Sequence, residues 1–302
     1  MHGVLELTGR RLLAIARWAV VVVALSGPVA AGESLPVVAS FSILGDLTRQ
    51  IGGERVEVHS LIGAGADAHV YQPTPGDARK LAGARLLVVN GLGFDVWIDR
   101  LRQSAGYRGK VVVASQGINA IRPGPGGQVD PHAWQDVANT RRYVDIIAEA
   151  LADLDPTGRP LYQANAARLN KALATLDSEI RSAFAALPPE RRKVVSSHDA
   201  FAYFGRAYGI RFIAPVGIST DAEPSAADVA AIIRQIRREK IRAMFIENIT
   251  DPRLLERIAR ESGARLGGTL YSDSLAKAGS PADNYLGMMR ENARTIRAAL
   301  AD

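Results

Sequence analysis

The sequence of 302 residues contains no cysteine. That absence excludes disulfide stapling, thiolate metal sites, a cysteine nucleophile and lipid attachment through a cysteine. The HExxH pattern, the GxSxG pattern and the phosphate-cradling GxxxxGK pattern are also missing. No zinc-protease helix, nucleophile elbow or P-loop is therefore on offer. No apolar run reaches the roughly 20 residues needed to span a bilayer. Positive charge is in modest excess, 37 Lys and Arg against 31 Asp and Glu, and the two signs are interspersed. The densest basic run, Arg234 to Arg242, has no interleaved aromatic residue, so it reads as the solvated face and end of a helix. No nucleic-acid partner is expected.

What is present begins with Arg10, Arg11 and Arg17, followed by the short apolar run Trp18 to Leu25 and small residues at Val29 and Ala31. This is the layout of a secretory signal peptide over residues 1–31, cleaved after about Ala31. The competing reading, a membrane anchor, needs a longer apolar run. Export without disulfides suits a bacterial periplasm.

Beyond residue 31, short apolar runs alternate with helix-period segments. Strands are predicted over 36–41, 56–62, 85–90 and 110–115, and again over 193–198, 210–216, 243–248 and 264–272. Helical patterns such as Asp95 to Gln103 and Ser225 to Ile236 lie between them, the second opened by Pro224 and Ser225. Strand-then-helix repetition predicts an α/β fold with mostly parallel sheets flanked by helices. Between the two sets of strands, Leu161, Leu169, Leu173, Leu176, Ile180, Phe184 and Leu187 form one stripe, stopped by Pro188 and Pro189. It predicts either one helix of roughly 40 Å, a strut joining two lobes, or two shorter helices. The expected plan is an N-terminal lobe over 32–155, a linking helix over 156–188 and a C-terminal lobe over 189–302.

Histidine carries the functional information. His2 leaves with the leader and His59 sits mid-strand, whereas His69, His132 and His198 each follow a predicted strand or a Gly/Pro-rich loop. Open α/β sheets place ligand-binding residues at such positions. Without thiols, imidazole is the natural transition-metal ligand, and a carboxylate must supply charge. Asp273, just after the last strand, is the candidate. Asp130, two residues before His132, either orients that ring or forms a turn before Pro131. Glu247, at the end of a strand, either hydrogen-bonds a ligand or serves as an alternative ligand. Trp134 and Tyr203 read as packing residues that exclude water.

At this point the strings resemble a known family, the periplasmic metal-binding proteins of zinc and manganese ABC transporters. The likeness rests on the segments starting HVYQPTPGDARKLAGARLLVVNGLGFDVWIDRL, DPHAWQD, SSHDAFAYFGRAYGI, GISTDAEPSAADV and YSDSLAKAGSPADNYLGMMRENARTI, which run in order between about Val37 and Leu300. The resemblance implies two lobes joined by a backbone helix, with a metal held between them by His69, His132, His198 and Asp273. Four protein ligands suit capture over catalysis. Three nitrogens and one carboxylate favour Zn2+, with Mn2+ as the alternative. The His-rich loop of many zinc-uptake members is absent, since the stretch Gly117 to Asp130 has no histidine. The resemblance further implies an ABC permease with its ATPase as partners, a separate metal-donating periplasmic protein, and a monomer. A secreted zinc hydrolase is the competing class; it would need three ligands, a bound water and a general base. Affinity for the metal is expected to fall as pH drops through about 6.5.

Overall fold

The computed structural model describes residues 2–3, 34–122 and 127–301. The signal-peptide expectation over 1–31 therefore lies outside the described residues, apart from His2 and Gly3. Residues 123–126 of the histidine-free loop lie outside them too.

The first half runs β1 (Leu35–Phe41), α1 (Ser42–Gly52), β2 (Val56–Ile62), α2 (Pro75–Gly83), β3 (Leu86–Val89), α3 (Ile98–Ser104) and β4 (Lys110–Val113). Two long helices follow, α4 (Val137–Leu154) and α5 (Arg159–Ala185). The second half runs β5 (Lys193–Val195), α6 (Ala202–Tyr208), β6 (Arg211–Ile213), α7 (Ala226–Glu239), β7 (Ala243–Glu247), α8 (Arg253–Ser262), β8 (Arg265–Leu270) and α9 (Tyr285–Ala301).

The strands form two four-stranded sheets, ordered β2-β1-β3-β4 and β6-β5-β7-β8. Every pairing is parallel. The fold is thus α/β with two lobes, as the alternating pattern predicted. In each sheet the strand order reverses between two central neighbours, β1 and β3 in the first and β5 and β7 in the second. The crevice outside the carboxyl ends of such strands is where open α/β sheets bind ligands.

Local sequence explains the helix starts. Ser225 accepts from the Asp228 backbone N–H while the Asp228 side chain accepts from Ser225, a reciprocal cap that opens α7. Thr74 and Asp77 do the same for α2, with Pro75 in the first helical position. Gly209 and Gly263 end α6 and α8 in the left-handed region, which costs glycine little.

Helix α5 is one uninterrupted element of 27 residues, about 40 Å long. Leu169, Leu173, Leu176, Ile180 and Phe184 are buried along it, but Leu161 is exposed. At about 100° per residue, the eight-residue step from Leu161 to Leu169 turns the side chain about 80° off the stripe. Tyr162 and Ala166 take its place in the core. Strand β5 also ends earlier than predicted, at Val195; beyond it His198 makes an isolated parallel bridge with Val216.

One apolar cluster crosses from the first half into the second: Tyr143, Leu173 and Phe184 join Phe204, Tyr285 and Met288 in it. A smaller cluster, including Ile232, Met244 and Ile258, fills the space under α7 and α8. The halves are therefore packed on each other as well as joined through α5. Among the described residues, no helix is long and apolar enough to cross a membrane.

Candidate metal centre

Three histidines and one aspartate converge where the carboxyl ends of the two sheets meet. His69 follows β2, His132 lies in the turn before α4, His198 follows β5 and Asp273 follows β8. One donor atom from each lies within 4.8 Å of all the others. The Asp273 carboxylate is ringed by Nε2 of His69 at 3.1 Å, of His198 at 3.3 Å and of His132 at 3.5 Å. His132, His198 and Asp273 are fully buried, and His69 is the most accessible of the four. His59 stays on β2, half-exposed beside Glu57 and outside the cluster.

Two further carboxylates set the ring orientations. Asp130 Oδ1 accepts the His132 backbone N–H at 2.9 Å and lies 2.7 Å from its ring Nδ1. Glu247 Oε1 accepts the His198 backbone N–H at 2.8 Å, and Oε2 lies 2.6 Å from its Nδ1. Both contacts favour a proton on Nδ1 and turn Nε2 toward the centre. His198 follows β5 and Glu247 ends β7, the neighbours that flank the reversal of strand order. In the first sheet the corresponding crevice holds Asn90. Its Nδ2 donates to the Pro131 carbonyl at 2.9 Å, and its Oδ1 accepts from Tyr143 at 2.6 Å, which fixes the turn carrying His132.

The charges oppose one another strongly. Burial disfavours the charged form of His132, but the Asp273 charge and the Asp130 hydrogen bond outweigh it and raise the pKa to about 9. Burial likewise opposes charge on His198, and the Glu247 and Asp273 carboxylates push its pKa well above the usual imidazole value. Asp273 is disfavoured by burial yet held well below the carboxylate range by His132 and His198. Neither Asp273 oxygen receives a well-formed hydrogen bond from a described residue. A buried carboxylate without donors is costly unless positive charge shares the space. Protons on the imidazoles supply that charge, and a divalent ion is the alternative that satisfies all four donors together.

Aromatic rings wall the cluster. Phe94 meets His69 edge-on at 5.3 Å between centroids, and Trp134 meets His132 at 5.3 Å. Trp134 and Tyr203 also tie the halves together, which goes beyond the packing role expected of them. Trp134 Nε1 donates to the Ser272 carbonyl at 2.8 Å, and the Tyr203 hydroxyl donates to the Asp130 carbonyl at 3.1 Å. Gln135 adds a bond to the same Ser272 carbonyl at 2.7 Å. Asn90, Phe94 and Gln135 carry no signal in the sequence, because nothing local marks a residue whose partner is distant. Asp67 carried one: it precedes His69 by two residues, as Asp130 precedes His132.

The family model for zinc-uptake complex component A, periplasmic (ZnuA), matches residues 37–299. The chain belongs to the ZnuA family. Among its relatives, the manganese-binding lipoprotein MntA of Halalkalibacterium halodurans is 33% identical over 270 residues, 89% of this chain and 90% of the relative. The iron ABC transporter substrate-binding lipoprotein MtsA of Streptococcus pyogenes serotype M1 is 32% identical over 281 residues, 90% of this chain and 91% of the relative. Among solved structures, the periplasmic zinc-binding protein TroA from Treponema pallidum superposes with a TM-score of 0.85 at 31% identity, over 89% of this chain and 100% of that one. This ZnuA-family chain is thus the metal-binding, substrate-binding component of an ABC transporter, served by a permease and an ATPase, and is not an enzyme. The relatives' names differ in the metal they specify. MntA and MtsA are named lipoproteins, whereas this sequence has no cysteine.

Proposed function

We propose that this protein captures zinc in the periplasm and delivers it to its permease, with His69, His132, His198 and Asp273 as the four ligands. The observation that carries the reading is the buried Asp273 carboxylate facing three imidazole Nε2 atoms with no other hydrogen-bond partner. Three nitrogens and one oxygen in a compact, dry setting suit tetrahedral zinc, and four protein donors leave no open position for a reacting water. In this reading residues 1–31 are an export signal, residues 32–155 and 189–302 are the two lobes, and the helix within 156–188 links them.

Manganese is the second reading, favoured by the manganese-binding name of a relative 33% identical to this chain. Raw affinity alone does not separate the two in the cell, because almost any nitrogen-containing site binds zinc more tightly than manganese. The test therefore has two parts: metal analysis of untagged protein recovered from its native compartment, and competition titration in vitro. One zinc per chain, with manganese bound much more weakly, is the expected result. Manganese recovered from the native protein, or displacing zinc at comparable concentration, overturns the zinc assignment. Two ions per chain overturn the single site.

Glu247 and Asp130 act in this reading through the rings they orient. Glu247→Gln keeps the shape but weakens the hold on His198 Nδ1, and the expected loss of zinc affinity is about 10–100-fold, the range for such outer contacts. The stoichiometry stays at one ion. Chelator competition measures it, and an unchanged affinity removes Glu247 from the mechanism.

A further inference from the structure

Besides the contact of His69 itself with Asp273, described residues of the loop that carries His69 are hydrogen-bonded to the second half of the molecule at two places of very different strength. On one side Gly65 N–H donates to the Leu275 carbonyl at 3.0 Å and to Ser274 Oγ at 2.7 Å. The Leu275 N–H donates in turn to Ser42 Oγ at 3.1 Å, and Ser274 Oγ lies 3.2 Å from the Gly63 carbonyl. These bonds are redundant and centre on the buried side chains of Ser42 and Ser274.

On the other side the described residues make one side-chain hydrogen bond. Asp67 Oδ2 accepts from Thr220 Oγ1 at 2.6 Å, across a sequence separation of 153 residues, while its Oδ1 accepts the His69 backbone N–H at 2.9 Å. One carboxylate thus grips the backbone of the most accessible histidine of the cluster with one oxygen and the opposite half with the other. Asp130, at the same spacing before His132, bonds the ring and backbone of its own histidine. The two Asp-x-His pairs look alike in sequence, but Asp130 meets its own histidine's backbone and ring through one oxygen, whereas Asp67 uses its second oxygen to reach across to Thr220.

Thr220 sits in the loop before the α7 cap, on a segment without regular hydrogen bonding. Both Asp67 and Thr220 are half-buried. Together they line a groove of about 600 Å³ that also reaches Ser197 and His198, with Glu223 and Asp251 on its walls. It approaches the cluster from solvent at His198, and it contains the weaker of the two fastenings. Separation there would release one side of the His69 loop while its bonds to Ser274 and Leu275 stay in place.

We infer that the Asp67–Thr220 hydrogen bond is a latch between the halves that controls how fast the metal leaves, by holding His69 closed over the ion beside this groove. The inference rests on the proposed zinc-binding role and specifies its release step. A hydrogen bond to a charged group contributes to retention in proportion to how completely it is lost when the ion departs. Removing the Thr220 hydroxyl takes away the latch and leaves every candidate ligand, and the Asp67–His69 bond, in place.

The experiment uses the full exported chain loaded with one equivalent of zinc and mixed rapidly with excess chromogenic chelator. Thr220→Val is expected to speed zinc release roughly tenfold, at the low end for one hydrogen bond to a charged group, with the stoichiometry unchanged. Thr220→Ser, which restores the hydroxyl, is expected to release zinc at close to the wild-type rate. A general loosening of the fold would not be rescued by serine, so the pair separates a latch from a structural role. A release rate for Thr220→Val equal to wild type, or for Thr220→Ser as fast as for Thr220→Val, overturns the latch while leaving the zinc reading intact. Wild-type protein that takes up no zinc overturns that reading and the latch with it.

Discussion

Asp273→Asn is expected to weaken zinc binding by well over 100-fold, more than the loss of an outer contact costs, while the metal-free chain still folds. Asp273 is the one anionic donor in the cluster and lies within 3.5 Å of an Nε2 atom from each of the three histidines. Asparagine keeps one side-chain oxygen, a neutral and weaker donor, and removes the negative charge that would offset the ion. The same substitution acts on the metal-free protein through the histidines. The Asp273 charge is among the causes that hold His132 and His198 protonated, so their pKa values should fall in Asp273→Asn. Two measurements follow: zinc affinity by chelator competition, and imidazole titration of the metal-free protein by NMR. His59→Ala is the control, since that ring lies half-exposed beside Glu57 and should leave both readings unchanged. Affinity retained in Asp273→Asn would remove Asp273 from the ligand set. Loss of binding in His59→Ala would mean that the metal sits elsewhere.

Much of the fold was legible because each strand is a short apolar run and the sheets are wholly parallel. Val37 to Ala39 and Leu86 to Val89 are buried on both faces, which is what a near-continuous apolar run means in a parallel sheet. The predicted and observed strands agree within a few residues, and His198 marks where they part. The run Lys193 to His198 looks extended throughout, but its last residues turn to place the imidazole at the cluster. Helix α4 was not singled out from the sequence, although Tyr143, Ile147 and Leu151 recur at helical spacing and pack it into the core beside α5. Leu161 misled, because spacing in steps of three, four or eight follows the helical period only approximately.

The candidate site was legible to the extent that its chemistry is scarce. With five histidines and no cysteine, three histidines in loop-like positions stand out. Their supports do not stand out. Asn90 is one asparagine among several, and its importance comes from gripping Pro131 and Tyr143, 41 and 53 residues away. Asp67, two residues before His69, carried a local signal for its bond to that histidine, but its tie to Thr220, 153 residues away, left none. Local spacing reports side chains that act on their neighbours; it carries nothing about those that act across the fold.

The largest effect of solution conditions should come from pH, and the structure moves its window upward from the sequence-based expectation. An isolated imidazole titrates near 6.5, so scarcity and spacing alone predict affinity that levels off just above that value. Here the Asp273 charge and the Asp130 contact outweigh burial and raise His132 to about 9, and Glu247 and Asp273 raise His198 in the same direction. Both rings must lose the proton on Nε2 before that atom can hold zinc, so protons compete with the ion throughout the neutral range. Zinc affinity should therefore keep rising from about pH 6.5 to about pH 9, by about tenfold per pH unit for each proton displaced. Asp273, held well below the carboxylate range, stays charged across this window and adds no slope. The metal-free protein should respond with the opposite sign. A histidine pKa raised by folding contributes stability that is complete below about 6.5 and is lost as pH climbs through about 9. Chelator competition at several pH values, paired with thermal melts of the metal-free and zinc-loaded chains, reads both slopes. Affinity that is flat above about pH 7, or a metal-free chain whose melting temperature does not fall between about pH 7 and about pH 9, would show that the carboxylates do not hold these imidazoles charged.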